Sequence, residues 1–470
     1  MSTPIVKLSF AASGIAQGVI SNGVSYFLLI YYSQVLGLDP GLAGLAMMIS
    51  LMVDAISDPM IGVWSDRLRS RFGRRHPFLF TSILPITAAY VLLWDVPELS
   101  QWGLFAYLLL FTVLLRLSLT LHIVPFNALL PQLSSDYEVR TSLMSYSYSG
   151  AWFVGTLLAV MMYAYWLADA PGGPVGNGMQ NIQGYVEAGW IAGLIAFACL
   201  LLSALGTYRS ANRHHRVEVV PPVTGLGQLF VQSRETLNDR NFLAMVLSGL
   251  AGAIASGSST ALWAYMQPYF WGFNSDETGT ILAAQLLSAI FAFVLIPILM
   301  KGREKRLVLI CVSALSMVIG SGPALLRLLD LFPQGGTDLL FYTMVVVGVI
   351  QVMFIVITST VTASMIADIV EARALKTGRR EEGLLFAVVS FISKVASGAG
   401  IWVGGVMLVW VEFPTDVWDL SIADASVRAL GWAYGLVLGV LYLLSLIALF
   451  FYRLTRSDHQ ANVSQLRAGQ

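Results

Sequence analysis

The sequence predicts an all-α membrane protein of twelve helices in two six-helix pseudo-repeated halves, and three observations carry that prediction. The first is composition: 57% of the 470 residues are hydrophobic and 11% are charged, roughly half the charge of an ordinary soluble domain, and the mean hydropathy is +0.73. The second is length, because at about 20 apolar residues per membrane-crossing helix twelve spans and short loops consume most of the chain. The third is a recurrence of loop character between the first and second halves. A soluble enzyme and a nucleic-acid binder are excluded on the first observation. Lys+Arg 27 balance Asp+Glu 27 to a net charge of zero, so only the distribution of charge is informative. Cys199 and Cys311 lie in apolar runs and imply neither a disulfide framework nor a metal site. The first apolar run continues past any small-residue cleavage site, and so reads as a retained helix rather than a signal peptide.

Windows of about 19 residues place spans near 9–32, 41–64, 78–96, 102–130, 141–166 and 188–207, then near 241–265, 278–299, 306–329, 339–366, 384–410 and 429–453. The longest polar stretch, Tyr208 to Arg240, carries Arg209, Arg213, His214, His215, Arg216, Pro221, Pro222 and Arg234. The expected organisation is therefore an N-terminal half (1–207), a cytoplasmic linker (208–240), a C-terminal half (241–455) and a cytoplasmic tail (456–470). Basic residues sort by loop parity: Arg67, Arg69, Arg71, Arg74 and Arg75 follow span two, Lys301, Arg303, Lys305 and Arg306 follow span eight, and Arg373, Lys376, Arg379 and Arg380 follow span ten. The alternate loops carry Asp39, Asp95, Glu98, Asp169, Asp276, Glu277, Glu412 and Asp416, with Arg327 and Arg428 against the trend. Both termini are thus expected in the cytoplasm. In each half the second span exits into a short basic turn and the fourth into a longer charged loop, the duplication of many secondary transporters.

Ionisable side chains in the hydrocarbon cost at least about 2.5 kcal/mol each, so each needs a partner or a function. Asp54 and Asp58 in span two are four residues apart and share one helix face. Like charges this close favour a shared proton or a bound cation, as a coupling-ion site requires; the alternative is a pair held permanently by basic residues. Span four adds Arg116, Thr120 and His122, and span eleven adds Lys394. At 1.5 Å rise per residue, Asp54, Thr120 and Lys394 all lie roughly 15 Å from the cytoplasmic ends of their helices, near the midplane where transporters keep substrate and ion sites. Lys394, from the opposite half, is then a candidate inter-half partner of the aspartates. His122 is equally compatible with a hydrogen-bonded structural role and with proton carriage, and Arg116 suits a structural ion pair with an aspartate. Trp94, Trp102, Trp166, Trp190, Trp271 and Trp432 at helix ends read as interfacial belt residues, whereas Trp263 and Trp402 lie deeper and suit packing.

Three stretches resemble one family. Asp54-Ala-Ile-Ser-Asp58-Pro59, followed by Gly62-Val-Trp-Ser-Asp66-Arg67 and Arg71-Phe-Gly73-Arg74-Arg75-His-Pro77, is similar to the second helix and following loop of the glycoside-pentoside-hexuronide:cation symporters, a melibiose-permease-like branch of the major facilitator superfamily. Val124-Pro125-Phe126-Asn127-Ala-Leu-Leu-Pro131 resembles the exit of that family's span four, and Ala367-Asp368 with Leu375-Lys376-Thr377-Gly378-Arg379-Arg380-Glu381-Glu382-Gly383, ending in Ser390-Phe391 and Lys394, resembles its span ten to eleven region. The resemblance implies the major facilitator fold and a Na⁺-, H⁺- or Li⁺-coupled symporter working by alternating access, with no cofactor. It assigns Asp54, Asp58 and Thr120 to the cation and Lys394 to the lysine near the cation and sugar sites; His122 and Asn127 join Lys394 as candidate substrate and coupling residues, and Asp66, Arg67, Arg74 and Arg75 resemble the superfamily's gating motif, Asp66 by contact with a basic partner. The chain departs from the family's galactoside clamp, whose acidic and basic positions fall on Gly18, Ile123 and Ser147.

The expected activity is cation-coupled symport, by Na⁺ or H⁺, of a glycoside or other carbohydrate-like solute. A lysolipid or amphiphile symporter is an alternative, because a related vertebrate branch has a similar aspartate pair and lysine. A membrane-embedded transferase ranks last, since no catalytic cluster, metal-ligand spacing or phosphate-cradling glycine loop is present in the sequence. The expected partners are a small-molecule substrate and membrane lipid, with no nucleic acid, and the expected state is a monomer, multi-pass in a bacterial inner membrane.

Overall fold

A computed structural model of the chain describes residues 4–68, 70, 72–134, 136–170, 177–213, 239–377, 382–414, 424–455 and 457–458. Among these the protein is helical, without strands. The twelve segments are α1 (Pro4–Ile30), α2 (Pro40–Arg67), α3 (His76–Leu92), α4 (Gln101–Asn127), α5 (Tyr137–Met161), α6 (Ile182–Arg213), α7 (Arg240–Tyr265), α8 (Ser275–Gln285 and Ser288–Met300), α9 (Lys305–Leu328), α10 (Asp338–Thr377), α11 (Glu382–Trp410) and α12 (Asp424–Leu449). Ten of them are long and apolar enough to cross a membrane, and α3 is a shorter apolar helix. The remaining one, α5, is long enough but its first half carries Glu138, Arg140 and the run Tyr146, Ser147, Tyr148 and Ser149 in place of an apolar run. Side chains such as Phe293, 81% exposed, face outward, which suits lipid and not water.

Helix starts are fixed by short polar side chains that accept otherwise unpaired backbone N–H groups. Asp39 accepts from Leu42 N at 2.9 Å, and Asp239 accepts from Asn241 N at 2.9 Å. The first helix of each half ends in the same way. A π-helical turn (Tyr31–Val35 after α1, Met266–Trp271 after α7) leads to a left-handed glycine, Gly37 at φ 74° and Gly272 at φ 77°. Two residues later an Asx side chain starts the next helix: Asp39 caps α2, and Asn274 exchanges hydrogen bonds with Glu277, donating its N–H to Oε2 at 2.9 Å and accepting from Glu277 N at 2.8 Å. That reciprocal pair is a capping box. The repetition supports the duplicated halves more directly than loop charge does.

By compactness the chain forms two bodies. One comprises Met1–Val223, Thr260–Ala283 and Ile401–Val427, the other Thr224–Ser259, Ala284–Gly400 and Arg428–Gln470. In the first, α1 is central and mostly buried, and glycines allow close helix contact. A Cβ on Gly14 would fall 1.9 Å from Ser147 O and one on Gly18 2.2 Å from Ala151 O, so α1 and α5 touch backbone to backbone. The same body gathers aromatic rings: Tyr31 donates to Trp94 O at 2.7 Å, Trp94 stacks on Tyr185, and Tyr265 pairs with Ser33. In the second body Phe242, Val246, Val308, Val312, Phe354 and Ile357 form part of a continuous apolar core.

Candidate functional site

The polar cluster of the first body forms where α2 and α4 pack. Asp54 and Thr120 are 6% and 2% exposed, and Thr120 Oγ1 donates to Asp54 Oδ1 at 2.7 Å. Ser57 lies on the same face, its Oγ 3.5 Å from Thr120 Oγ1 and 3.0 Å from the Asp54 carbonyl. Asp58, half-buried, stands one turn beyond Asp54. Arg116, one turn before Thr120, is within electrostatic reach of Asp54, the kind of relation a structural ion pair requires. Pro59 and Pro125 lie inside α2 and α4 and have no N–H to return to the carbonyls of Ala55 and Leu121. Carboxylate, hydroxyl and carbonyl oxygens suit a hard cation, and the two carboxylates suit a shared proton.

Depth placed Thr120 and Asp54 at one level, and the family resemblance grouped them. Ser57 was missed, although its spacing of three from Asp54 puts it on the same helix face.

His122 belongs to a different cluster. It is fully buried, with Nδ1 3.1 Å from Ser82 Oγ on α3 and Nε2 3.1 Å from Ser203 Oγ on α6. Its ring stacks on Phe126 at 5.8 Å between centroids. Ser82 and Ser203 also lie 2.8 Å from the carbonyls of Leu79 and Leu200, so one serine accepts from the neutral ring, and the other pairs with its second nitrogen by turning its proton from the backbone to the imidazole. Asn127 is the last residue of α4 and is exposed.

Of the gating residues, Asp66 at the end of α2 pairs with Arg75 just before α3, Nη2 to Oδ1 3.1 Å. Arg74 is half-buried and Arg67 exposed, while Arg69 and Arg71 lie outside the described residues. Lys394 is half-buried on α11 in the second body. Asp368 of α10 receives Lys305 Nζ at 2.8 Å on both carboxylate oxygens, a pair that sequence reading missed. The stretch 378–381 lies outside the described residues, as does most of the linker, 214–238. Gly18 and Ser147, two positions of the absent galactoside clamp, face each other's helices in the close α1–α5 contact, where Gly18 has no room for a side chain.

A sequence model described as "MFS/sugar transport protein" matches residues 9–456. The chain belongs to that family. As a member it is a multi-pass membrane transporter and not an enzyme. It is 24% identical to the putative glycoside/cation symporter YagG of Escherichia coli K12, over 98% of this chain and 94% of that one. A shorter stretch of 141 residues is 31% identical to the sodium-dependent lysophosphatidylcholine symporter 1 of Gallus gallus, covering 30% of this chain and 26% of that one. The transporter superposes on a bacterial homologue of the human lysosomal transporter Spinster, in an inward-facing and unoccupied conformation, with a TM-score of 0.68 at 14% identity over 99% of both chains. That likeness concerns the fold: a twelve-helix major facilitator architecture.

Proposed function

We propose that the transporter is a cation-coupled symporter of a carbohydrate-like solute, working by alternating access, with Asp54, Asp58 and Thr120 as the cation ligands and Ser57 beside them. The observation that carries this reading is the buried Thr120–Asp54 hydrogen bond at 2.7 Å, with a second carboxylate one turn away. A carboxylate so enclosed needs a positive charge, and a mobile cation that arrives with the solute is the economical source. Arg116 is within electrostatic reach of Asp54, and Asp58 brings the second carboxylate of the proposed site. Lys394 is the proposed link between cation and substrate. Asp66 and Arg75 form the proposed gate. Both termini face the cytoplasm of a bacterial inner membrane, with the basic loops on that side.

The match to a glycoside/cation symporter over nearly the full chain favours a carbohydrate substrate over a lysolipid, for which the similarity is confined to 30% of the chain. Reconstituted vesicles under an imposed inward Na⁺ or H⁺ gradient, offered labelled neutral mono- and disaccharides and lysophosphatidylcholine, provide the test. One gradient should accelerate uptake of a carbohydrate. Carbohydrate uptake at equal rates with and without either gradient overturns the coupling, and gradient-driven uptake of the lysolipid alone overturns the substrate class.

A further inference from the structure

The second body holds a space that the cation cluster does not explain: a cavity of about 200 Å³ framed by α7, α9, α10 and α12, with hydroxyl and amide groups set in a largely apolar surface. About 10–15 Å³ of such space suffices for one water, so this one admits a small molecule. Its walls follow helical spacing. Ser248, Gly249, Gly252 and Ser256 form one face of α7, and Gln351, Thr358, Ser359 and Thr362 one face of α10. Ten of the fourteen lining residues end in a hydroxyl or an amide, and none is acidic or basic.

The hydrogen bonding of this lining specifies what it lacks. Ser316 and Ser359 give their protons to the carbonyls of Val312 and Val356, each at 2.9 Å, and so offer only lone pairs to the cavity. Ser445 donates to the Ser248 carbonyl at 2.9 Å, and the Tyr442 hydroxyl pairs with Gln351. A cation would find no carboxylate here and an anion no positive charge. A molecule that carries several O–H groups and no charge satisfies acceptors and donors together. Gly249, Ser256, Ile355 and Ser359 are exposed and form the mouth.

We propose that this cavity binds one ring of an uncharged polyhydroxylated ligand and so gives the second body a carbohydrate subsite of its own, on helices that take no part in the α2–α4 cation cluster. The proposal rests on the carbohydrate reading above. It adds a location and a requirement for neutrality.

Gly249 provides the decisive variant, because a Cβ there meets nothing within 4 Å. Gly249→Leu therefore fills the cavity without displacing a neighbour, and Gly249→Ala serves as its control. The full-length transporter, purified with Cys199 and Cys311 replaced by Ala and Ser359→Cys added, is exposed to a maleimide in the presence of D-xylose, D-glucose, methyl β-D-glucopyranoside, D-glucuronate or lysophosphatidylcholine. Direct binding of each probe is measured calorimetrically. At least one neutral sugar should slow alkylation while glucuronate and the lysolipid do not, and Gly249→Leu should weaken that sugar by at least about tenfold. The melting-temperature shift produced by the coupling cation should persist in that variant. A neutral sugar that binds the wild type but neither protects Ser359→Cys nor weakens in Gly249→Leu overturns the subsite and leaves the symporter reading intact. A wild type that binds lysolipid and no neutral sugar overturns both. Should Gly249→Leu fail to fold, Gln351→Leu decides by the same criteria.

Discussion

Thr120 and His122 sit two residues apart on α4, about 200° around the helix, and use their hydrogen bonds in opposite ways. Thr120 turns to α2 and donates to a buried carboxylate, in the cluster proposed to hold the cation. His122 turns to α3 and α6, where two serines meet both ring nitrogens and an aromatic ring covers its face. A buried polar group that is fully satisfied by fixed protein partners stabilises one packing. A buried carboxylate carries a charge and can respond to an ion. Proximity to the midplane, the criterion available in sequence, does not separate these cases, whereas hydrogen-bond saturation does. Of the two roles open to His122 from sequence, its geometry favours the structural one.

The largest effect that bears on this contrast is expected at Asp58. Asp58→Asn keeps the side-chain shape and removes the charge, so cation stimulation of uptake should be lost while the purified protein melts near the wild-type temperature. Retention of wild-type cation dependence would remove Asp58 from the cation site and return the aspartate pair to a fixed electrostatic role.

Thr120→Val comes next. The valine is nearly isosteric, and the lost hydrogen bond to a charged group is worth about 1.5–3 kcal/mol, so the half-saturating cation concentration should rise by about tenfold or more. Thr120→Ser should behave as wild type, because it keeps the oxygen. If valine and serine are indistinguishable in a cation titration, the hydroxyl only positions Asp54 and does not touch the ion.

The sequence revealed this cluster because it announced itself through charge. Asp54 and Asp58 at a spacing of four, and Thr120 at equal depth, require only helix geometry. The same reasoning recovered the twelve spans, since about 20 apolar residues leave a clear trace. What it missed depends on neutral groups or on packing across the chain. The α8 interruption at Leu286 and Leu287 has neither proline nor glycine to mark it, and the π turns at Tyr31–Val35, Met162–Trp166 and Met266–Trp271 have no sequence rule of their own. The cavity in the second body was visible in principle as Ser, Thr and Gly recurring at three and four on α7 and α10. Small hydroxyl residues are inexpensive in membrane helices because they bond to their own backbone, so they attract no notice in a search for costly groups. Lys305–Asp368 was hidden because the two residues are 63 apart.

His122→Ala tests the other side of the comparison. It opens a void and removes the partner that joins Ser82 to Ser203, so stability should fall by about 1–3 kcal/mol, read as a lower melting temperature. Cation affinity and the cation dependence of substrate binding should stay within about twofold of wild type. A flattened cation dependence in a folded variant would mean that hydrogen-bond saturation fails as a criterion here and that His122 carries the coupling proton.

The smallest energetic effect, and the one that separates gating from stability, belongs to Asp66. Its carboxylate is 41% exposed and contacts Arg75 at 3.1 Å, and ion pairs of that kind contribute about 0–1 kcal/mol. Asp368, by contrast, is 9% exposed and holds Lys305 through both oxygens, so Asp368→Ala should destabilise the transporter more than Asp66→Ala does. If Asp66 belongs to a gate, its small contribution is the property that matters, because a contact that opens and closes in every cycle cannot be worth many times the thermal energy. Asp66→Ala should then leave the melting temperature almost unchanged while raising maleimide labelling of cysteines introduced on the basic-loop side and lowering it on the opposite side. Labelling that stays at wild-type rates on both sides reduces Asp66 and Arg75 to a topological feature of a basic loop, and the search for a gate would pass to Lys305 and Asp368, the stronger pair at the α9 and α10 ends.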